Sequence, residues 1–235
     1  MTMDKTQRDD LVAANRILFS EGVLDGFGHV SLRDPKRPDR FWLARSMAAG
    51  LVAAADLMEF DLDCAPVDAR GRAVFLERFI HGEIYRARPD VQSVVHSHSP
   101  NLVPFGVTPV ELKPLYHMTG FLGDGVPVFE IRKVAGRDTN LLITDGRLGR
   151  ALAKTLGAKP AALMRGHGSA VVGQSLQQAV YRAIYMELNA RLQSEAMRLG
   201  RVNYLTPGEA RAGAEVNDRM LHRPWELWKR KAMGK

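Results

Sequence analysis

Three short strand-like runs lie near the start of the chain: His29-Val30-Ser31-Leu32-Arg33, Phe41-Trp42-Leu43-Ala44 and Met58-Glu59-Phe60-Asp61-Leu62. The turn joining the first two, Asp34-Pro35-Lys36-Arg37-Pro38-Asp39, is too short for the crossover that parallel neighbours require, so they must pair antiparallel. Elsewhere helical and strand-like spacing alternates. Leu11, Val12, Ile17, Leu18 and Phe19 mark an amphipathic helix over 6–21, closed by Gly22. A second helix carries Glu77 and ends near Pro89, and a strand then runs to His96 and His98 before Pro100. Beyond it the pattern predicts a strand at 127–130 and a helix at 145–156. A strand pair follows at 161–165 and 169–172, broken by Gly166-His167-Gly168, and then a long helix at 175–199. The expectation is a three-layer α/β/α fold with a largely antiparallel central sheet. With 235 residues, 46% of them hydrophobic, one sizeable core can be filled, and no repeat or low-complexity linker divides the chain. A single domain over 1–235 is expected, ending in a basic helical tail from about 207 to 235.

Charge narrows the partners. The formal net charge is +7, but basic residues are scattered among acids except in the tail, where Arg223, Lys229, Arg230, Lys231 and Lys235 outnumber Glu226. Trp225 and Trp228, three apart in that tail, read as a helix face packing on a neighbour. No zinc-finger spacing or aromatic RNA-binding motif is present, so the excess charge suits a site that gathers small anions better than nucleic acid. No apolar run approaches the roughly 18 residues of a membrane span. The start, Met1-Thr2-Met3-Asp4-Lys5, lacks the order of a secretory signal, and a cytoplasmic protein is expected. The lone Cys64 can form no intrachain disulfide and is assigned to packing.

Chemistry enters with Val94-Val95-His96-Ser97-His98. Alternate residues of a strand point to one face, so His96 and His98 can grip one ion. Glu77 and His81 lie four apart on a predicted helix, which places both on one face. His167 stands between two glycines whose missing side chains leave room for a ligand. Three imidazoles and a carboxylate would hold a divalent metal and leave room for substrate oxygens.

Glu77, Arg88-Pro89-Asp90, the His96-Ser97-His98 strand and Arg165-Gly166-His167-Gly168, in that order, resemble the class II aldolase and adducin family over nearly the whole chain. The resemblance implies a three-layer fold and a zinc or manganese ion held by one Glu and three His, here Glu77, His96, His98 and His167. It also implies a homotetramer or higher homo-oligomer with sites at subunit contacts. Manganese is the favoured ion, with zinc the alternative.

Departures from the family pattern bear on the substrate. Where the sugar-phosphate aldolases of this family carry Gly-Asn-Val-Ser, this chain has Gly28-His29-Val30-Ser31, and where they place two serines before the Glu it has Phe75-Leu76. The third phosphate segment is replaced by Arg45-Ser46-Met47. A phosphate cradle needs donors, and Phe and Leu offer none. His29, Arg45, Ser46, Phe75 and Leu76 instead suit a flat ring bearing carboxylates, gripped by the guanidinium fork and covered by the apolar wall. Tyr116-His117-Met118-Thr119-Gly120-Phe121 resembles the matching segment of family decarboxylases that act on hydroxylated aromatic acids. The expected activity is metal-dependent decarboxylation of a small anionic (hetero)aromatic dicarboxylate, with Glu77, His81 or His117 delivering the proton that replaces the carboxyl group. The competing readings are an aldolase or epimerase of an unphosphorylated sugar or hydroxy acid, and a non-catalytic adducin-like interaction module.

Overall fold

A computed structural model describes residues 3–234. Its centre is a seven-stranded sheet: β1 His29–Arg33, β2 Arg40–Ala44, β3 Leu57–Asp61, β4 Ser93–Ser97, β5 Val128–Phe129, β6 Ala161–Met164 and β7 Gly168–Gly173, in spatial order β3-β2-β1-β4-β7-β6-β5. Every neighbouring pair is antiparallel except β5 and β6. That exception follows from the connection, since helical segments separate these two strands in the chain and supply the crossover.

Among the described residues, eight α-helices complete the fold: α1 Lys5–Ser20, α2 Phe79–Ala87, α3 Val103–Val107, α4 Arg132–Ala135, α5 Gly146–Leu156, α6 Leu176–Leu199, α7 Pro207–Asp218 and α8 His222–Met233. Their starts carry the residues that satisfy free amides. The side chains of Asp4, Asp145, Ser175 and Thr206 accept from the amides of Gln7, Leu148, Gln178 and Glu209, as N-caps do. One face of the sheet packs through Val30, Val95 and Val171 against α1, α6 and the buried Trp225 and Trp228 of α8. The other packs through Phe41, Val94 and Val172 against Ile80 and Ile84 of α2 and Leu148 and Leu152 of α5. This alternation along single strands makes the expected three layers. α7 and α8 occupy the end of the described chain, and the tryptophans of α8 pack on the core while Lys229 pairs with Asp10 of α1 at 2.6 Å. Among the described residues no helix is long and apolar enough to cross a membrane.

Two corrections to the sequence reading matter for the site. Glu77 does not lie on α2 but in a 3-10 turn, Leu76–Arg78, with φ −90° and ψ 19°, so Glu77 and His81 do not share a helical face. Residues 166 and 167 form the expected turn between β6 and β7, with Gly166 at φ +65°, the left-handed region that favours glycine, but Gly168 is already the first residue of β7 rather than part of the break.

Candidate metal centre and active site

The register of the sheet builds the site. β1 and β4 pair so that His29 stands opposite His96, and β4 and β7 so that Ser97 stands opposite Ser169. The close approach of β7 explains Gly168, where a Cβ would collide with the Ser97 carbonyl. The tight turn before it delivers His167 next to His98.

Glu77, His96, His98 and His167 converge, their ligand atoms all within 4.8 Å of one another. Glu77 Oε2 lies 3.3 Å from His96 Nε2, 3.3 Å from His167 Nε2 and 4.0 Å from His98 Nε2. His98 Nε2 is 3.1 Å from His96 Nε2 and 2.9 Å from His167 Nε2. His96 Nδ1 donates to the Ser169 carbonyl and His167 Nδ1 to the Leu141 carbonyl, both at 3.0 Å. A carbonyl only accepts, so in each neutral ring the proton sits on Nδ1 and the Nε2 lone pair faces the centre. Converging lone pairs and a carboxylate repel one another unless a cation lies between them. The donor set therefore fits a divalent metal, with nitrogen and oxygen ligands of the kind zinc and manganese accept.

Electrostatics agree. Burial alone would raise the Glu77 carboxyl, but the His96 and His167 imidazoles beside it outweigh burial and hold the group well below the usual carboxylate range. Burial, with His96 and His167 crowding beside it, lowers His98 to about 4. The other Glu77 oxygen, Oε1, accepts from the Ile143 amide at 2.9 Å. One loop thus orients two ligands, through the Leu141 carbonyl and the Ile143 amide. Leu141 itself adopts φ +69°, a strained conformation for a leucine.

A cavity of about 290 Å³ opens beside the cluster, lined by Glu77, His98, His29 and Ser46 and walled by Phe27, Met47, Phe75, Leu76 and Leu142. Of the sequence-predicted substrate residues, His29, Ser46, Phe75 and Leu76 line it, and the His29 and Phe75 rings lie 4.5 Å apart. Arg45 adjoins Ser46 but does not line the cavity, and its Nε donates to Asp56 at 2.7 Å. His81 is fully buried, with one ring nitrogen against His29 Nδ1 and the other against Ser31 Oγ, both at 2.6 Å. It has no free nitrogen with which to reach a substrate, so direct proton delivery by His81 is corrected to a place behind the wall. His117 is exposed on the 3-10 segment His117–Leu122 and does not line this cavity. Sequence reasoning missed Phe27, Met47 and Leu142 as lining residues, and Ser31 and Tyr85 behind them. The last two had a signal: Ser31 is two residues from His29 on β1, and Tyr85 is four from His81 on α2.

Residues 9–194 match the Class II Aldolase and Adducin N-terminal domain, and the chain belongs to that family. Decarboxylase tropJ of Talaromyces stipitatus is 39% identical over 242 residues, covering 93% of this chain and 91% of that protein. A 3,4-dihydroxyphthalate decarboxylase of Arthrobacter keyseri is 28% identical over 205 residues, covering 82% of this chain and 79% of its own. L-fuculose 1-phosphate aldolase from Glaciozyma antarctica PI12 shares the fold, with a TM-score of 0.80 at 24% identity over 100% of this chain and 94% of that one.

Proposed function

We propose that this protein is a metal-dependent decarboxylase of a hydroxylated aromatic or heteroaromatic dicarboxylate. The sequence points to 3-hydroxy-2-methylpyridine-4,5-dicarboxylate, an intermediate of vitamin B6 breakdown, as the substrate. The observation that carries the reading is the apolar wall of Phe27, Phe75 and Leu76 directly beside a Glu/His cluster, which suits a flat ring and offers a phosphate few donors. The named decarboxylase relatives support the same class. In this reading the protein is a cytoplasmic homotetramer or larger homo-oligomer that uses manganese, or alternatively zinc, and binds neither nucleic acid nor membrane.

In this mechanism the bond between ring carbon and carboxylate breaks, carbon dioxide leaves, and the electron pair stays on the ring, spread towards the neighbouring hydroxyl oxygen. A proton then takes the place of the carboxyl group. Bound by Glu77, His96, His98 and His167, a divalent metal supplies Lewis-acid stabilisation of negative charge on substrate oxygens. Phe27, Phe75 and Leu76 cover the ring and exclude water, which strengthens every polar contact in the cavity. His29 and Ser46 offer hydrogen bonds to the ring's oxygens, and Arg45, which adjoins Ser46 outside the cavity lining, would have to turn the nitrogens not held by Asp56 inward to grip the carboxylate that remains. Glu77 is the carboxylate at the reacting end, where its negative charge orients the water that delivers the proton to the ring carbon. In an oligomer with sites at subunit contacts, the exposed His117 serves a neighbouring copy's cavity.

The test is to load the protein with manganese or zinc and offer it the pyridine dicarboxylate, 3,4-dihydroxyphthalate and L-fuculose 1-phosphate. Release of carbon dioxide from an aromatic acid is expected. Aldehyde release from the sugar phosphate, with no carbon dioxide from either acid, would overturn the reading.

A further inference from the structure

Behind the cavity wall runs a closed line of hydrogen bonds: His29 Nδ1 to His81 Nε2 at 2.6 Å, His81 Nδ1 to Ser31 Oγ at 2.6 Å, and Ser31 Oγ to the Tyr85 hydroxyl at 2.7 Å. All four residues are buried, so each proton between the Tyr85 hydroxyl and His29 Nδ1 must find its acceptor within the line, and only the His29 Nε2 end opens on the cavity. The direction is set at the far end. The Tyr85 ring lies under the Arg33 guanidinium at 4.7 Å, and its oxygen also faces the Val94 amide, so its surroundings offer donors and no acceptor except Ser31 Oγ. Tyr85 must therefore donate to Ser31. Ser31, having received that proton, directs its own to its one remaining partner, His81 Nδ1. A neutral His81 then carries its proton on Nε2 and donates to His29 Nδ1. His29 is left with its proton on Nε2, the nitrogen with no hydrogen-bond partner among the described residues, on a ring that lines the cavity. Reversing the line would strand the Tyr85 hydroxyl proton without an acceptor in the core, a cost that fixes the order shown.

We propose that Ser31 and His81 are positioning residues that lock His29 as a neutral Nε2–H donor, with Tyr85 closing the far end of the line, and that this donor recognises a carboxylate oxygen on the substrate. The locked ring cannot accept at that nitrogen, so a substrate group that only donates is refused there. The substrate half of the inference rests on the aromatic-acid reading above, whereas the proton order stands on the line of bonds alone.

Two measurements on the zinc-loaded protein separate these halves. With ¹⁵N-labelled histidine, NMR should show His29 and His81 each protonated on Nε2 and bare on Nδ1. Tyr85→Phe should keep that pattern, because Ser31 then becomes the terminal donor, and Ser31→Ala should mix the tautomers of both rings with zinc content unchanged. A His29 proton on Nδ1 in the wild-type protein, or an unchanged pattern in Ser31→Ala, would overturn the proton order. In the second measurement, His29→Phe should weaken 3,4-dihydroxyphthalate binding at least about tenfold, as loss of a hydrogen bond to a charged group does, while catechol binding changes little. Equal weakening for catechol, or none for the dicarboxylate, would overturn carboxylate recognition by His29. If neither compound binds the wild-type protein, the aromatic reading and the carboxylate half fall together, and the nitrogen pattern still decides the proton order.

Discussion

His98 and His167 hold their Nε2 atoms 2.9 Å apart although His167 has already spent its one neutral proton on the Leu141 carbonyl. Two more donor atoms, from His96 and Glu77, crowd the same point. Such an arrangement is unfavourable without a positive charge at its centre and favourable with one. His98→Ala and His167→Ala should each lower metal affinity by more than about a hundredfold, beyond the range for groups that merely orient a ligand. Elemental analysis after dialysis checks this, and full metal content in both variants would remove the cluster as a metal site.

Glu77→Gln probes a different property, because the amide keeps the size of the side chain and its bond from the Ile143 amide while losing charge. Metal should be held more weakly, and turnover at saturating metal should fall at least about a hundredfold, the lower range for lost acid–base help. Turnover within a few-fold of the wild-type value would leave Glu77 outside the chemistry.

Acid should weaken the fold through His81. Burial first, and then the neighbouring His96, lower His81 from its ordinary 6.5 to about 3, and burial followed by His81 lowers His29 as well. Between pH 6.5 and about 3 the unfolded chain binds protons that the folded protein refuses. Stability is therefore whole above pH 6.5 and declines below it, by about 1.4 kcal/mol per pH unit for each fully shifted group. Urea unfolding of the metal-stripped protein at stepped pH should show a shallower decline for His81→Gln than for wild type. Parallel slopes would mean that His81 is not held neutral.

That His96, His98 and His167 come together was legible in the sequence because their geometry is local, whereas the choice of Glu77 over His81 came from the family resemblance. A two-residue alternation on β4 and a glycine-flanked turn between β6 and β7 place three imidazoles almost without reference to the rest of the chain. The layering was legible for a similar reason, since connection lengths dictate which strands pair antiparallel. What stayed hidden is non-local. That Leu141 and Ile143 orient His167 and Glu77 follows from how a 136–144 loop with no regular structure settles, strained φ included. Glu77 lies in its own 3-10 turn rather than on the following helix, a boundary shift of a kind that periodicity cannot resolve. That offset turns His81 away from the Glu77 and histidine cluster and towards Ser31.

Arg45 is where the aromatic-dicarboxylate reading meets its sharpest competitor, a plain surface ion pair. Its Nε is bound to Asp56, and its side chain is 40% exposed, so the pair itself is worth under about 1 kcal/mol of stability. Asp56 also accepts from the Ala53 amide at 3.0 Å, which anchors the carboxylate and leaves it free to aim the guanidinium. If the remaining nitrogens grip the retained carboxylate, Arg45→Lys should raise KM at least about tenfold with kcat little changed, because an ammonium cannot reproduce the paired geometry. Asp56→Asn should raise KM by less, since the fork survives but loses its aim. Thermal stability should barely move in either variant. An analogue lacking the second carboxylate should bind wild type and Arg45→Lys about equally. A KM for the full substrate that is the same in Arg45→Lys as in wild type would confine Arg45 to its bond with Asp56 and leave the carboxylate to His29 and Ser46.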